Sequence, residues 1–230
     1  MQPTVRTPGD KRPETKQLVT IRAGMALLEG ELAVPQAPHG LVFFAHGSGS
    51  SRHSPRNRIV AQALRNDAQV ATLLFDLLSP DEEQIDVRTG RMRFDIDLLA
   101  RRLIVATDWA RGRREGERIG YFGASTGAAA ALLAAAVRPN DVAAVVSRGG
   151  RPDLAGFALD RVRAPTLLIV GGEDYPVIDM NREAMAHLQH VETRLDVIPR
   201  ATHLFEEPGA LGEVARRAAE WFRRHMMPKQ

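Results

Sequence analysis

The chain contains no cysteine. Disulfides, thiolate metal ligands and a cysteine nucleophile are therefore excluded together, and any covalent chemistry falls to serine or threonine. Long apolar runs are also missing. Stretches such as Ala128 to Val137 fall well short of the ~20 residues that cross a bilayer. The polar, proline-rich start "MQPTVRTPGDKRPETKQ" has no apolar core of the kind a secretory signal needs. A cytoplasmic protein without a membrane partner is the expectation. Strong net charge is absent too: the formal value is +3, although arginine lifts the pI to about 9.8. Arg101, Arg102, Arg111, Arg113, Arg114 and Arg118 crowd one region, but Asp108, Glu115 and Glu117 interleave with them and aromatics are few. That pattern reads as a solvated helix face, and no nucleic-acid partner is expected.

At 230 residues the chain has length for one sizeable core. Residues 1–15 read as a loose N-terminal tail and residues 16–230 as a single domain. "QLVTIRAGMALLEGELAV" predicts two short strands turning at Ala23-Gly24. "GLVFFAH" and "VATLLFD" are continuous apolar runs suited to buried parallel strands, with a helix over Pro55 to Asn66 between them. Asp81 to Met92 reads as a charged loop, and Phe94 to Arg111 as a long amphipathic helix with Ile96, Leu99, Leu103, Ala106 and Ala110 on one stripe. The strand "RIGYF" is followed by an alanine-rich helix from Ser125 to Val137. "VAAVVS", "TLLIV" and "TRLDVI" supply three more strands, with helices over Val177 to His190 and from Gly209 to about His225. This series predicts an α/β fold: a mostly parallel, doubly wound sheet with helices on both faces.

In such a sheet, sites form at the carboxyl ends of the strands. After "LVFFA" stand His46-Gly47-Ser48-Gly49, and after "IGYF" stands Gly123-Ala124-Ser125-Thr126-Gly127. "TLLIV" is followed by Gly171-Gly172-Glu173-Asp174, and "LDVIPR" by Ala201-Thr202-His203. A nucleophilic serine needs a base to take its proton, an acid to orient that base, and N–H donors for the oxyanion. This edge offers one of each. G-x-S-x-G on a strand-to-helix turn exposes the serine oxygen, while its glycines let strand and helix approach closely.

The motifs "FFAHGSGSS", "GYFGASTG", "LLIVGGEDYPV" and "IPRATHLFEEPG", in the order Ser125, Asp174, His203, resemble the α/β-hydrolase superfamily. Within it the chain is similar to the small dienelactone-hydrolase-like branch, over about Gln17 to Met226. The resemblance implies the α/β-hydrolase fold and a serine hydrolase with Ser125 as nucleophile, His203 as general base and Asp174 as its orienting acid. It also implies oxyanion donors in the backbone N–H groups of Ser48 and Thr126. Glu173 is a neighbouring rival for the acid. Dienelactone hydrolases use a cysteine nucleophile, which this chain lacks, so their lactone substrate does not carry over. Only Arg148 to Arg163 separates two strands at the place where larger relatives insert a lid, so a minimal cap and an open site are expected.

Other residues have plainer readings. His46 is expected to shape the oxyanion loop and Asp76 to cap a loop. His187 and His190 near Glu183 suit a solvated helix face better than a metal pair, and no metal or cofactor is expected. The substrate class is a small acyl compound: an ester, thioester or lactone. Acyl transfer, peptide cleavage and non-catalytic binding on the same fold stay open, as does the oligomeric state. Arg52, Arg56, Arg148 and Arg151 cluster near the mouth and predict an anionic acyl substrate, unless they merely pair with carboxylates such as Asp153.

Overall fold

The apolar runs of the sequence line up as neighbouring strands of one sheet in a computed structural model that describes residues 14–114 and 116–227. β1 (Glu14–Ala23) and β2 (Ala26–Pro35) form the expected hairpin. β3 (Leu41–Ala45), β4 (Ala71–Phe75), β5 (Ile119–Ala124), β6 (Val142–Arg148), β7 (Thr166–Gly171) and β8 (Thr193–Ile198) complete it. The order is β1-β2-β4-β3-β5-β6-β7-β8, with antiparallel pairing only at β1–β2 and β2–β4. Glu14 and Thr15, assigned above to the tail, already belong to β1, whose register reaches Pro35. The rest of that tail, residues 1–13, lies outside the described residues.

Successive strand side chains point to opposite faces, and here both faces are apolar. Leu41, Phe43 and Ala45 enter a core shared with α3 (Ile96–Arg111) and α4 (Thr126–Val137). Val42 and Phe44 enter a second core with α1 (Pro55–Ala63) and α6 (Ala210–Met226). Phe43 and Phe44 are both fully buried, and burial of a phenylalanine side chain contributes about 1.5–3 kcal/mol. Ten of the twelve residues of α4 are buried, which explains its alanines: a helix enclosed on nearly every side cannot carry bulk or charge. α5 (Tyr175–His187) follows β7, and one short 3₁₀ stretch, Pro152–Arg161, stands where a lid would be inserted.

The expected loop from Asp81 to Met92 is in fact mostly helix, α2 (Pro80–Thr89). Its start is a capping box. Glu82 N–H donates to Ser79 Oγ at 3.3 Å and Ser79 N–H donates to Glu82 Oε2 at 2.8 Å, with Pro80 at the first helical position. The helix has no apolar stripe, so periodicity could not reveal it. Its one buried residue is Asp86, whose carboxylate accepts from Met92 N–H (2.6 Å), Arg93 N–H (3.2 Å) and Arg93 Nε (2.6 Å).

Candidate active site

The carboxyl ends of β3, β5, β7 and β8 bring the four polar loops to one edge. Ser125 sits between β5 and α4 with φ 51° and ψ −121°, a region L-residues rarely enter. Packing forces this conformation. A Cβ at Gly123 would stand 2.4 Å from the Ala128 Cα, and one at Gly127 would stand 2.2 Å from the Ala45 carbonyl oxygen. Strand, turn and helix therefore close on one another only through glycine. The turn is pinned from β6: Ser125 N–H donates to the Arg148 carbonyl (3.3 Å) and Arg151 N–H donates to the Ser125 carbonyl (3.1 Å).

His203 and Asp174 meet directly. His203 Nδ1 and Asp174 Oδ2 are 2.6 Å apart, with the Asp174 side chain 14% exposed and that of His203 38%. The neighbouring Glu173 faces away and accepts from the Tyr175 hydroxyl at 2.8 Å. The loop carrying His203 is anchored by the buried Phe205, at φ 57°, and by Glu207, whose Oε1 accepts from Thr202 N–H (3.0 Å) and Thr202 Oγ1 (2.6 Å). Neither anchor was marked in the sequence, because neither carries chemistry of its own. The His203 ring lies over Gly149: a Cβ there would come 3.5 Å from His203 Cε1. Among the described residues, Ser125 Oγ makes no hydrogen bond to that ring.

The His46-Gly47-Ser48-Gly49 loop reaches the same point. A Cβ on Gly47 would stand 3.0 Å from the Ser125 Cβ. Thr126 begins α4, so its N–H is one of the first-turn amides without an intrahelical acceptor. Ser48 N–H, however, already donates to the Thr126 side-chain Oγ1 at 3.0 Å, so the two expected donors face each other across a side-chain contact.

His46 shapes this loop through both ring nitrogens: Nδ1 lies 3.0 Å from the Gly47 carbonyl and Nε2 accepts from Leu77 N–H at 3.1 Å. That pattern requires the neutral ring with its proton on Nδ1, and burial holds the histidine below its ordinary pKa. A small cleft opens behind the loop, lined by His46, Ser48, Ser50, Leu77, Leu78 and Leu99 among others, but not by Ser125 or His203.

The four arginines divide. Arg52 pairs with Asp76 and with Glu29 (2.6 Å), Arg56 with Glu206 (2.9 Å), and Arg151 with Asp153 through contacts of 2.7 to 3.2 Å. Asp76, directly after β4, is thus an arginine partner. Arg148 is different: 7% exposed, it has no carboxylate partner among the described residues. Burial, reinforced by the charge of Arg56, brings its pKa down to about 10. His187 faces Asp160 (2.9 Å) and His190 the Val162 carbonyl (2.6 Å). Among the described residues no group of three or more acidic or histidine side chains is arranged to hold a metal ion, and no helix is long and apolar enough to cross a membrane.

Residues 59–227 match the sequence model of the dienelactone hydrolase family. The crystal structure of a dienelactone hydrolase from Anabaena variabilis is 57% identical, superposes with a TM-score of 0.89, and is matched over 92% of this chain and 98% of that one. An esterase from Pyrococcus furiosus, 18% identical with a TM-score of 0.72 over 92% of each chain, shares the fold. Two Mycobacterium tuberculosis proteins named putative phosphoribosyl transferases are 54% identical over 216 residues, which is 93% of this chain but 47% of theirs. The chain thus spans about half the length of those curated relatives.

Proposed function

The chain belongs to the dienelactone hydrolase family, and on that footing we propose that it is a serine hydrolase cleaving a small carboxylic ester, thioester or lactone through an acyl-enzyme on Ser125. The observation that carries this reading is the 2.6 Å contact between His203 Nδ1 and Asp174 Oδ2 beside the strained Ser125 turn. With Asp174 accepting the Nδ1 proton, the Nε2 lone pair is free to take the proton of Ser125 Oγ as that oxygen attacks the acyl carbon. The negative charge that develops on the carbonyl oxygen is met by the Thr126 N–H at the positive end of α4. Ser48 N–H joins it by sharing the hydrogen it now gives to Thr126 Oγ1. Nε2 then hands its proton to the leaving oxygen or sulfur, and water repeats the sequence on the acyl-enzyme.

Acyl transfer and peptide cleavage would employ the same groups, whereas a binding protein of this fold would need none of them reactive. Labelling with a fluorophosphonate separates the reactive readings from the binding one, and a hydrolysis screen over acyl length and charge identifies the acyl group. Label is expected on Ser125, with turnover falling by about 10⁴ or more in Ser125→Ala. An unlabelled wild-type protein, or a Ser125→Ala variant within about tenfold of it, would overturn the mechanism.

A further inference from the structure

Of the residues of α4, only Thr126 has a side chain with a polar atom. The helix is otherwise glycine, alanine, leucine and valine, and Thr126 itself is buried. A hydroxyl enclosed there would cost stability that an alanine would not, unless it were hydrogen-bonded. Its oxygen is: Thr126 Oγ1 accepts from Ser48 N–H at 3.0 Å. A threonine hydroxyl also has a hydrogen to give, and among the described residues nothing accepts it.

The Ser48 amide is aimed by its own peptide unit. The Gly47 carbonyl of that unit is taken twice, by His46 Nδ1 at 3.0 Å and by Ser50 N–H at 3.1 Å. A trans peptide points its N–H away from its C=O, so the Ser48 N–H is turned the other way, onto Thr126 Oγ1. The Thr126 N–H stands at the start of α4, and standard bond lengths keep Oγ1 within about 4 Å of the nitrogen of its own residue. The two amides named above as oxyanion donors therefore flank one hydroxyl, whose hydrogen is uncommitted, directly after Ser125 in the chain.

We propose that the Thr126 hydroxyl is itself an oxyanion donor, a catalytic group beside the backbone N–H of the same residue, and that the Ser48 amide strengthens it. This rests on the hydrolase reading above. Oγ1 accepts from Ser48 N–H and gives its hydrogen to the carbonyl oxygen as that atom becomes negative. The proton stays on Oγ1 throughout, and no bond of Thr126 is made or broken. A hydroxyl donating to an oxyanion is charge-assisted, about twice as strong as a neutral pair, and one that already accepts a hydrogen bond is polarised into a better donor. Holding the Ser48 loop in place would need only a lone pair of Oγ1; the hydrogen left over is what points beyond that role.

The test compares kcat/KM for p-nitrophenyl butyrate and for its thionoester, in wild type, Thr126→Val and Thr126→Ser. The thionoester carries sulfur in place of the carbonyl oxygen, and sulfur accepts hydrogen bonds weakly. Thr126→Val keeps the shape and loses the hydroxyl, so the oxygen ester should slow by about 10²-fold or more, the cost of one oxyanion donor. The thionoester should slow much less, so that the ratio of the two rates falls by about tenfold or more. Thr126→Ser, which keeps the hydroxyl, should recover most of that ratio. A threonine that only anchors the loop would slow both substrates alike. An unchanged ratio in Thr126→Val, a faster oxygen ester, or no recovery in Thr126→Ser overturns the proposal. Should Thr126→Val fail to fold, Thr126→Ala, which matches the rest of α4, is read by the same criteria. Fluorophosphonate labelling of the wild type keeps the two readings apart: an unlabelled and inactive wild type ends both, whereas a labelled, active protein with an unchanged ratio ends only the role of Thr126.

Discussion

Replacing Ser125 with glycine should end the chemistry and raise the stability of the fold. The serine is held at φ 51°, ψ −121°, and holding an L-residue in such a region costs on the order of 1–3 kcal/mol. Glycine adopts it freely but brings an unfolded chain with more freedom to lose, worth about 0.5–1 kcal/mol. Taking the middle of each range leaves a net gain of about 1 kcal/mol, which in a domain of this size raises Tm by about 2–4 °C. Ser125→Ala is the proper control, because it removes the hydroxyl yet keeps the Cβ that creates the strain. Scanning calorimetry of the wild type and both variants at one pH reads the difference, and an ester assay checks that both variants are inactive. If Ser125→Gly melts at or below Ser125→Ala, the turn stores no strain and the conformation is relaxed for serine.

Three further outcomes follow from the geometry. Asp174→Asn should lower kcat by about 10²–10⁴, while Glu173→Gln, whose carboxylate meets only Tyr175, should stay close to wild type; the reverse order in steady-state kinetics would exchange their roles. Removing the Ser79 hydroxyl in Ser79→Ala opens the capping box of α2 and should cost about 0.5–2 kcal/mol in urea unfolding, and an unchanged midpoint would mean that α2 is held by Asp86 alone. His46 supplies a pH dependence. Its folded pKa lies below the ordinary 6.5, so the unfolded chain binds the extra proton, and the stability it contributes is complete above that value. That contribution erodes as the pH falls below 6.5 toward the folded pKa, with a slope of at most about 1.4 kcal/mol per pH unit. Melting temperatures between pH 7.5 and 5 should fall less steeply in His46→Asn than in wild type, and parallel curves would assign the acid sensitivity elsewhere.

The sheet was legible because strands buried on both faces are written as unbroken apolar runs, as in "LVFFA" and "TLLIV". The residues following those runs had to share an edge once the strands were parallel, so Ser125, Asp174 and His203 could be gathered before any coordinates. α2 was hidden for the opposite reason. Its stability lies in polar contacts at its start and around Asp86, and the pattern Ser79-Pro80-Asp81-Glu82 was its only signal. The choice of Asp174 over Glu173 as the His203 partner was implied by motif position and is a matter of side-chain direction: one carboxylate turns inward to His203 and the next outward to Tyr175. The occupied state of the Ser48 amide was beyond reach altogether, since it depends on where the hydroxyl of Thr126, 78 residues away, is turned.

Charge partners are where a sequence is least readable, and the mouth arginines explain why. Arg151 and Asp153 are two residues apart, so their pairing could be suspected from order alone. Arg52 finds Asp76 and Glu29, 24 and 23 residues distant, only because the loop before α1 passes the carboxyl end of β4 where β2 pairs with it. Arg56 finds Glu206 from 150 residues away through the packing of the His203 loop against α1. With those carboxylates still unassigned, all four arginines look equally available to a substrate. Once Asp76, Glu29, Asp153 and Glu206 are assigned, the arginine left without a carboxylate among the described residues is the most deeply buried of the four and the one whose backbone carbonyl accepts from the Ser125 N–H. What marks Arg148 among the four is therefore the absence, among the described residues, of any carboxylate that the chain has placed against it.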